Sequence, residues 1–119
     1  MRVIISAGGT GGHIYPALAI INKIKEEEPD SEILYIGTTD RMEKDLIPSL
    51  GYKYEALEVK GLKRKLTLDN IKTVTCFISA IKRAKEIIKD FDPDIVIGCG
   101  GDVTATVIYA AKKLGKRTF

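Results

Sequence analysis

Near the amino terminus the β-branched run Val3-Ile4-Ile5 passes through Ser6-Ala7 into Gly8-Gly9-Thr10-Gly11-Gly12 and ends at His13. No other stretch constrains the fold as strongly. A short apolar run that closes on glycines reads as a buried strand entering a loop. Four glycines in five positions present bare backbone N–H groups and permit positive φ angles. Helical spacing follows in Ala17, Leu18, Ile20, Ile21 and Ile24, with a polar tail from Lys25 to Glu28. Pro16 is placed as the first helical residue, where its missing N–H costs nothing. Pro29-Asp30 closes that helix.

The same alternation continues. Ile33 to Ile36 reads as a second buried strand closed by Gly37. A helix follows from about Met42 to Ser49, with Leu46, Ile47 and Leu50 apolar and Gly51 as its C-cap. Tyr54 to Val59 is a third strand and Lys60 to Lys65 a basic loop. A long helix then starts near Asp69-Asn70 and runs to about Lys89. Its stripe is Ile71, Val74, Ile78 and Ile81, widened by Phe77, Ala84 and Ile88. Asp92-Pro93-Asp94 turns the chain into a fourth strand, Ile95 to Ile97, and a second glycine loop, Gly98-Cys99-Gly100-Gly101. Val103 to Leu114 is a helix capped by Gly115, and Lys116 to Phe119 begins a fifth strand. The alternation predicts a Rossmann-like three-layer α/β domain with a parallel sheet in the order 3-2-1-4-5 and right-handed crossovers. The switch point then falls between strands 1 and 4, and both glycine loops leave the sheet there, at the edge where such folds bind ligands. Residues 1–119 read as a single domain. Phe119 lies inside an apparent strand, which predicts one domain of a longer protein or one subunit of a split enzyme.

Composition narrows the function. Of 119 residues 45% are hydrophobic and 29% charged, which suits a globular core. The net charge of +3 is a weak basic bias, and no aromatic residues interleave with the cations, so nucleic acid is not expected. Cys76 and Cys99 read as buried reduced thiols. A single histidine excludes a His-based metal cluster, and no metal is expected. The initial apolar run is too short for a signal peptide or a span, which predicts a cytosolic protein.

The first loop, with a helix dipole pointing at it, is a site suited to a phosphate or pyrophosphate. The plainer reading is a tight strand-to-helix turn. No Lys-Ser/Thr follows the last glycine, so it is not a Walker loop. Gly37-Thr38-Thr39 stands where a dinucleotide site would carry Asp or Glu. His13 closes this loop, and a neutral imidazole there can act as a general base or donate to an anion. The second loop faces the first, so the two can hold the two phosphates of a pyrophosphate. Asp102 would repel phosphate and caps its own helix; the other reading is a base or an acceptor-orienting group. Lys60 to Leu66 mixes cations with Leu62 and Leu66, and with Phe77 makes a candidate contact for an anionic membrane surface; an ordinary solvated loop is the alternative. Lys82, Arg83 and Lys85 read as a solvent face.

The segment Gly8-Gly9-Thr10-Gly11-Gly12-His13-Ile14-Tyr15-Pro16-Ala17-Leu18-Ala19 resembles the N-terminal signature of the MurG-type N-acetylglucosaminyltransferases. The resemblance continues in Gly37-Thr38-Thr39-Asp40-Arg41-Met42-Glu43, in Gly61-Leu62-Lys63-Arg64-Lys65 and in Pro93 to Gly101. It implies the N-terminal, acceptor-binding half of a two-domain GT-B-type glycosyltransferase. The absent C-terminal half would bind UDP-N-acetylglucosamine. The implied reaction inverts the anomeric centre and needs no cofactor. Its product would serve peptidoglycan synthesis, and so cell wall biogenesis, cell shape and cell division. The implied location is the cytoplasm, peripheral on the inner face of the cell membrane, and the chain alone is expected to be inactive. The acceptor, a lipid-linked pyrophosphate sugar, would be held by Gly9, Thr10, Gly11, Gly12, His13, Gly100, Gly101 and Asp102, with His13 catalytic. Leu62, Lys63, Arg64, Lys65, Leu66 and Phe77 would face the membrane. The family usually continues Tyr-Val-Ser-Gly-Pro after the paired glycines, where this chain reads Asp102-Val103-Thr104-Ala105-Thr106, so the tyrosine expected to touch the acceptor is missing. Two other readings stay open: a membrane-recruiting subunit of a split glycosyltransferase, and a non-catalytic phosphate-ligand binding module.

Overall fold

A computed structural model describes residues 1–8, 11–59 and 70–119 of the chain, without the side chains of residues 11, 12, 41 and 70–73. The elements are β1 (Arg2–Ser6), α1 (Gly11–Glu27), β2 (Glu32–Gly37), α2 (Arg41–Ser49), β3 (Lys53–Ala56), α3 (Asn70–Phe91), β4 (Ile95–Gly98) and α4 (Asp102–Lys113). The strands form one parallel sheet in the order β3-β2-β1-β4. In β1, Val3 is level with Ile33 of β2 and Ile95 of β4. Beyond β4, Thr118 bridges Val96, Val96 N–H donates to the Arg117 carbonyl, and Phe119 N–H donates to the Val96 carbonyl. The expected 3-2-1-4-5 order therefore holds, with the switch point between β1 and β4.

Strand periodicity divides the core into two layers. Val3, Ile5, Ile33 and Tyr35 face α1 and α2, where Ile14, Ala17, Ile21 and Ile47 are buried against them. Ile4, Leu34, Ile36 and Val96 face the other way, onto Ala84 and Ile88 of α3 and Val107 and Ala111 of α4. Each fully buried Ile or Val stabilises by roughly 1.5–3 kcal/mol. Both central strands are apolar on both faces, as a parallel sheet with helices on each side requires.

Two helix ends follow the glycine rule. Gly51 (φ 92°) and Gly115 (φ 72°) each follow a helix in the left-handed region. Gly115 N–H donates to Lys112 and Lys116 N–H to Ala111, the paired bonds of a Schellman motif.

Other expectations change. α1 starts at Gly11, not at Pro16, which sits inside it. Gly11 and Gly12 are themselves helical, and Pro16 supplies no N–H to the Gly12 carbonyl one turn back. β3 ends at Ala56; Leu57 and Val59 continue into the core as buried residues outside the strand. Among the described side chains, the α3 stripe is covered only from Ala80 onward. Ala80, Ala84, Ile87, Ile88 and Phe91 are buried, but Val74 and Ile78 are 54% and 59% exposed. The reason is length: 22 residues of helix reach about 33 Å, whereas the four residues of β4 reach about 13 Å. Cys76 rides on that overhang and is exposed, not buried, while Cys99 is half-buried and packs against the α1 side of the sheet. Burial pushes the Cys99 thiol up, which favours an inert thiol.

Candidate functional site

The loops after β1 and β4 are locked together by their backbones. Cys99 N–H donates to the Ser6 carbonyl at 2.8 Å, and Gly8 N–H donates to the Gly100 carbonyl at 3.3 Å. A methyl group on Gly101 would lie 2.3 Å from the Gly8 carbonyl oxygen. Gly100 and Gly101 have φ of 124° and 97°, a backbone that other residues rarely adopt. Gly8 is closed in as well: a methyl there would lie 2.7 Å from Thr38 Cγ2 and 2.8 Å from Val103 Cγ1. Glycine at these three positions is a requirement of close approach.

His13 is the third residue of α1 and half-buried. Its imidazole lies against Gly100, where an added methyl would stand 2.6 Å from Nδ1 and 2.7 Å from Cε1. The structure thus joins the first loop's histidine to the second loop's bare Cα. The N–H groups of Gly11, Gly12 and His13, in the first turn of α1, have no intrahelical acceptor, and the helix dipole adds positive potential there. An anion fits that arrangement.

Two expectations at the second loop are revised. The Gly100 N–H, expected to face a phosphate, donates to Thr104 Oγ1 at 3.2 Å. Asp102 does not cap α4: the N-cap is Gly101, which makes no side-chain cap, and Asp102 is the first helical residue. Its charge still suits a helix amino terminus. Gly9 and Thr10 lie outside the described residues, as do Leu62, Lys63, Arg64, Lys65 and Leu66. Phe77 is 38% exposed on α3, beside Tyr109 of α4 at 6.5 Å between ring centres. Lys82 and Arg83 face solvent, and Lys85 is partly covered.

The sequence reading missed a buried carboxylate behind the first loop. Glu43 is 2% exposed. It accepts the Thr38 N–H at 3.0 Å, the Thr38 hydroxyl, and the Tyr35 hydroxyl at 3.4 Å. The Thr38 hydroxyl also accepts the Asp40 N–H, and Asp40 caps α2 through the Met42 N–H. The spacing of Asp40 and Glu43 is the available signal, since an acidic residue three beyond an N-cap makes a capping box. Here Thr38 relays the reciprocal bond. Tyr54 stacks on Tyr35 at 5.6 Å and donates to the Thr38 carbonyl. Burial, then the Glu43 charge, raises both phenols well above the ordinary tyrosine range.

A cavity of about 780 Å³ lies elsewhere, between β3 and α3 towards the amino ends of the strands, and is lined by Arg2, Lys53, Tyr54, Arg83 and Phe91 among others. Its charges are spent on neighbours: Arg83 pairs with Glu55 and Glu86, and Arg2 with Glu32. Among the described residues no cluster of three or more His, Cys, Asp or Glu could hold a metal ion, and no helix is long and apolar enough to cross a membrane.

A parallel sheet with this order, and two glycine loops meeting at its switch point, defines a Rossmann-like domain of the GT-B glycosyltransferase class. The chain belongs to the family of the glycosyltransferase family 28 N-terminal domain, whose sequence profile matches residues 3–119. It is 52% identical over 118 residues to the "UDP-N-acetylglucosamine--N-acetylmuramyl-(pentapeptide) pyrophosphoryl-undecaprenol N-acetylglucosamine transferase" of Limosilactobacillus fermentum, covering 99% of this chain and 32% of that protein. An Alkaliphilus oremlandii protein of the same name is 54% identical over 118 residues, with the same coverage. Among solved structures, MurG of Acinetobacter baumannii matches with a TM-score of 0.80 and 26% identity, over 98% of this chain and 34% of that one. The chain therefore spans about a third of the length of these relatives.

Proposed function

We propose that the chain is the acceptor-binding part of an enzyme that transfers N-acetylglucosamine from UDP-N-acetylglucosamine to a lipid-linked pyrophosphate sugar, in peptidoglycan precursor synthesis. The observation that carries this reading is the imidazole of His13 lying on Gly100, at the switch point and beside the first-turn amides of α1. The names of the relatives support the chemistry. The acceptor pyrophosphate would sit on the amides of Gly11, Gly12 and His13, with Gly9, Thr10, Gly101 and Asp102 around it. The acceptor sugar hydroxyl would then attack the anomeric carbon. A C–O bond forms to the acceptor, the C–O bond to UDP breaks, and His13 accepts the hydroxyl proton or orients the hydroxyl. The donor would be bound by a domain outside this chain.

The apolar overhang supports a peripheral contact with the cytoplasmic membrane face. Val74, Phe77, Ile78 and Tyr109 expose apolar surface together, and the Lys113 ammonium lies 5.5 Å from the Tyr109 ring centre. A basic segment that includes Lys63, Arg64 and Lys65 precedes α3 in sequence. Apolar area with flanking cations suits an anionic bilayer.

The test is His13→Ala in the full-length protein, assayed for transfer to a lipid-pyrophosphate acceptor. A fall of roughly a hundredfold in kcat/KM is expected for a lost general base. Near-normal transfer would instead favour a non-catalytic ligand-binding role for this domain.

A further inference from the structure

We propose that Thr104 is a positioning residue for His13, acting through Gly100; this rests on the reading of His13 above. Thr104 is the third residue of α4. Its hydroxyl accepts the Gly100 N–H at 3.2 Å and lies 2.8 Å from the Gly100 carbonyl and 2.9 Å from the Ser6 carbonyl. The one hydroxyl proton is shared between those two carbonyls. Its methyl group fills the space over Gly98, where an added methyl would lie 2.4 Å from Thr104 Cγ2.

These contacts fix the peptide units on both sides of Gly100. Its N–H goes to Thr104, and its carbonyl takes Gly8 N–H as well as the Thr104 hydroxyl. Gly100 holds φ 124°, where glycine has many alternatives nearby in energy and needs outside bonds to choose one. The Cα so fixed is the surface on which the His13 ring lies. Thr104 therefore acts on the imidazole through Gly100, and it ties the ring's floor to the end of β1 through Ser6. A ring resting on a mobile floor loses the alignment that proton transfer needs, and small misplacements are costly in rate.

The hydroxyl and the methyl have separable duties, so two substitutions divide them. Thr104→Val keeps the methyl and removes the hydroxyl. Thr104→Ser keeps the hydroxyl and removes the methyl. In the full-length protein, Thr104→Val is expected to lower kcat about tenfold with KM within about twofold, and Thr104→Ser to retain kcat within about twofold. Melting temperature controls for general loosening: transfer should follow the hydroxyl and not the Tm order. In a His13→Ala background, Thr104→Val should add little further loss, because the residue through which it acts is gone. The full tenfold loss persisting in that background overturns the proposal. The His13 imidazole NMR signals, assigned by their disappearance in His13→Ala, give a readout free of the reaction. They should shift or broaden in Thr104→Val and not in Thr104→Ser. Should His13→Ala transfer normally, the catalytic reading of His13 fails, and the NMR comparison still decides the positioning role. Unchanged His13 signals in Thr104→Val overturn it.

Discussion

The carbonyl oxygen of Gly8 occupies the place that a side chain on Gly101 would need. A methyl there would lie 2.3 Å away, and the backbone at Gly101 is in the left-handed region at φ 97°. Gly115 also has a positive φ, 72°, but has open space around its Cα. Gly101 therefore adds to the positive φ both a ψ of 169° that only glycine favours and a collision. Gly115→Ala is expected to cost about 1 kcal/mol, the strain alone. Gly101→Ala should cost at least about 3 kcal/mol, because the β1 and β4 loops must also part. Urea unfolding of both variants measures this, and equal costs would mean that the loops are not interlocked.

Glu43 gives a second prediction. Replacing it by glutamine keeps an oxygen for the Thr38 N–H and leaves an amide facing the Tyr35 hydroxyl. That change is expected to cost about 1 kcal/mol. Glu43→Leu abandons a partly buried N–H and two hydroxyls, of which that of Tyr35 is buried, and should cost about 2–4 kcal/mol. Denaturant midpoints give the order; a leucine variant as stable as the parent would remove Glu43 from any structural role.

Alkaline stability follows from the two stacked phenols. Tyr35 and Tyr54 are raised above their ordinary value by burial and then by Glu43. Their folded values exceed the unfolded ones, so their contribution is complete below about pH 10 and is lost as pH rises above it. The Tm should therefore fall between pH 9 and pH 11 (roughly the span bracketing the free phenol). Tyr54→Phe should show a shallower fall, despite a lower Tm at neutral pH from the lost bond to Thr38. Parallel curves for the two proteins would contradict this.

At the other end of the scale, the Lys116 ammonium, by hydrogen bond and charge, holds the Asp92 carboxyl below its ordinary value. A depressed folded value means stability that is present above about pH 4 and lost as pH falls below it. The carboxylate is exposed, so the effect is small and weakened by salt. Asp92 also sits at φ 53°, a conformation that asparagine tolerates. Asp92→Asn is thus expected to keep the turn and to lose less Tm between neutral and acid pH. The comparison at low ionic strength is the sensitive one, and an identical acid slope would count against the pair.

The strands were legible because Val3-Ile4-Ile5 and Ile33 to Ile36 are apolar on both faces, which only a doubly covered sheet can use. The caps at Gly51 and Gly115 were legible from local chemistry. Pro16 misled because its preference for a first helical position is statistical, whereas helix formation through Gly11 and Gly12 depends on packing beyond them. Periodicity told which face of α3 is apolar but not which half is covered, since coverage depends on the lengths of strands elsewhere. The contact between His13 and Gly100 needs the sheet order before it can be seen. Thr104 was hidden for the same reason, since topology brings Ser6 to it, whereas Glu43 had a local signal in its spacing from Asp40.

The exposed stretch of α3 from Val74 to Ser79 leans on little of the sheet. Its amides should exchange with solvent through local fraying, at a free energy well below that of whole-domain unfolding. Residues such as Val74 and Ile78 can accordingly be reshaped by selection for whatever they touch, and the architecture at the switch point need not adjust in return.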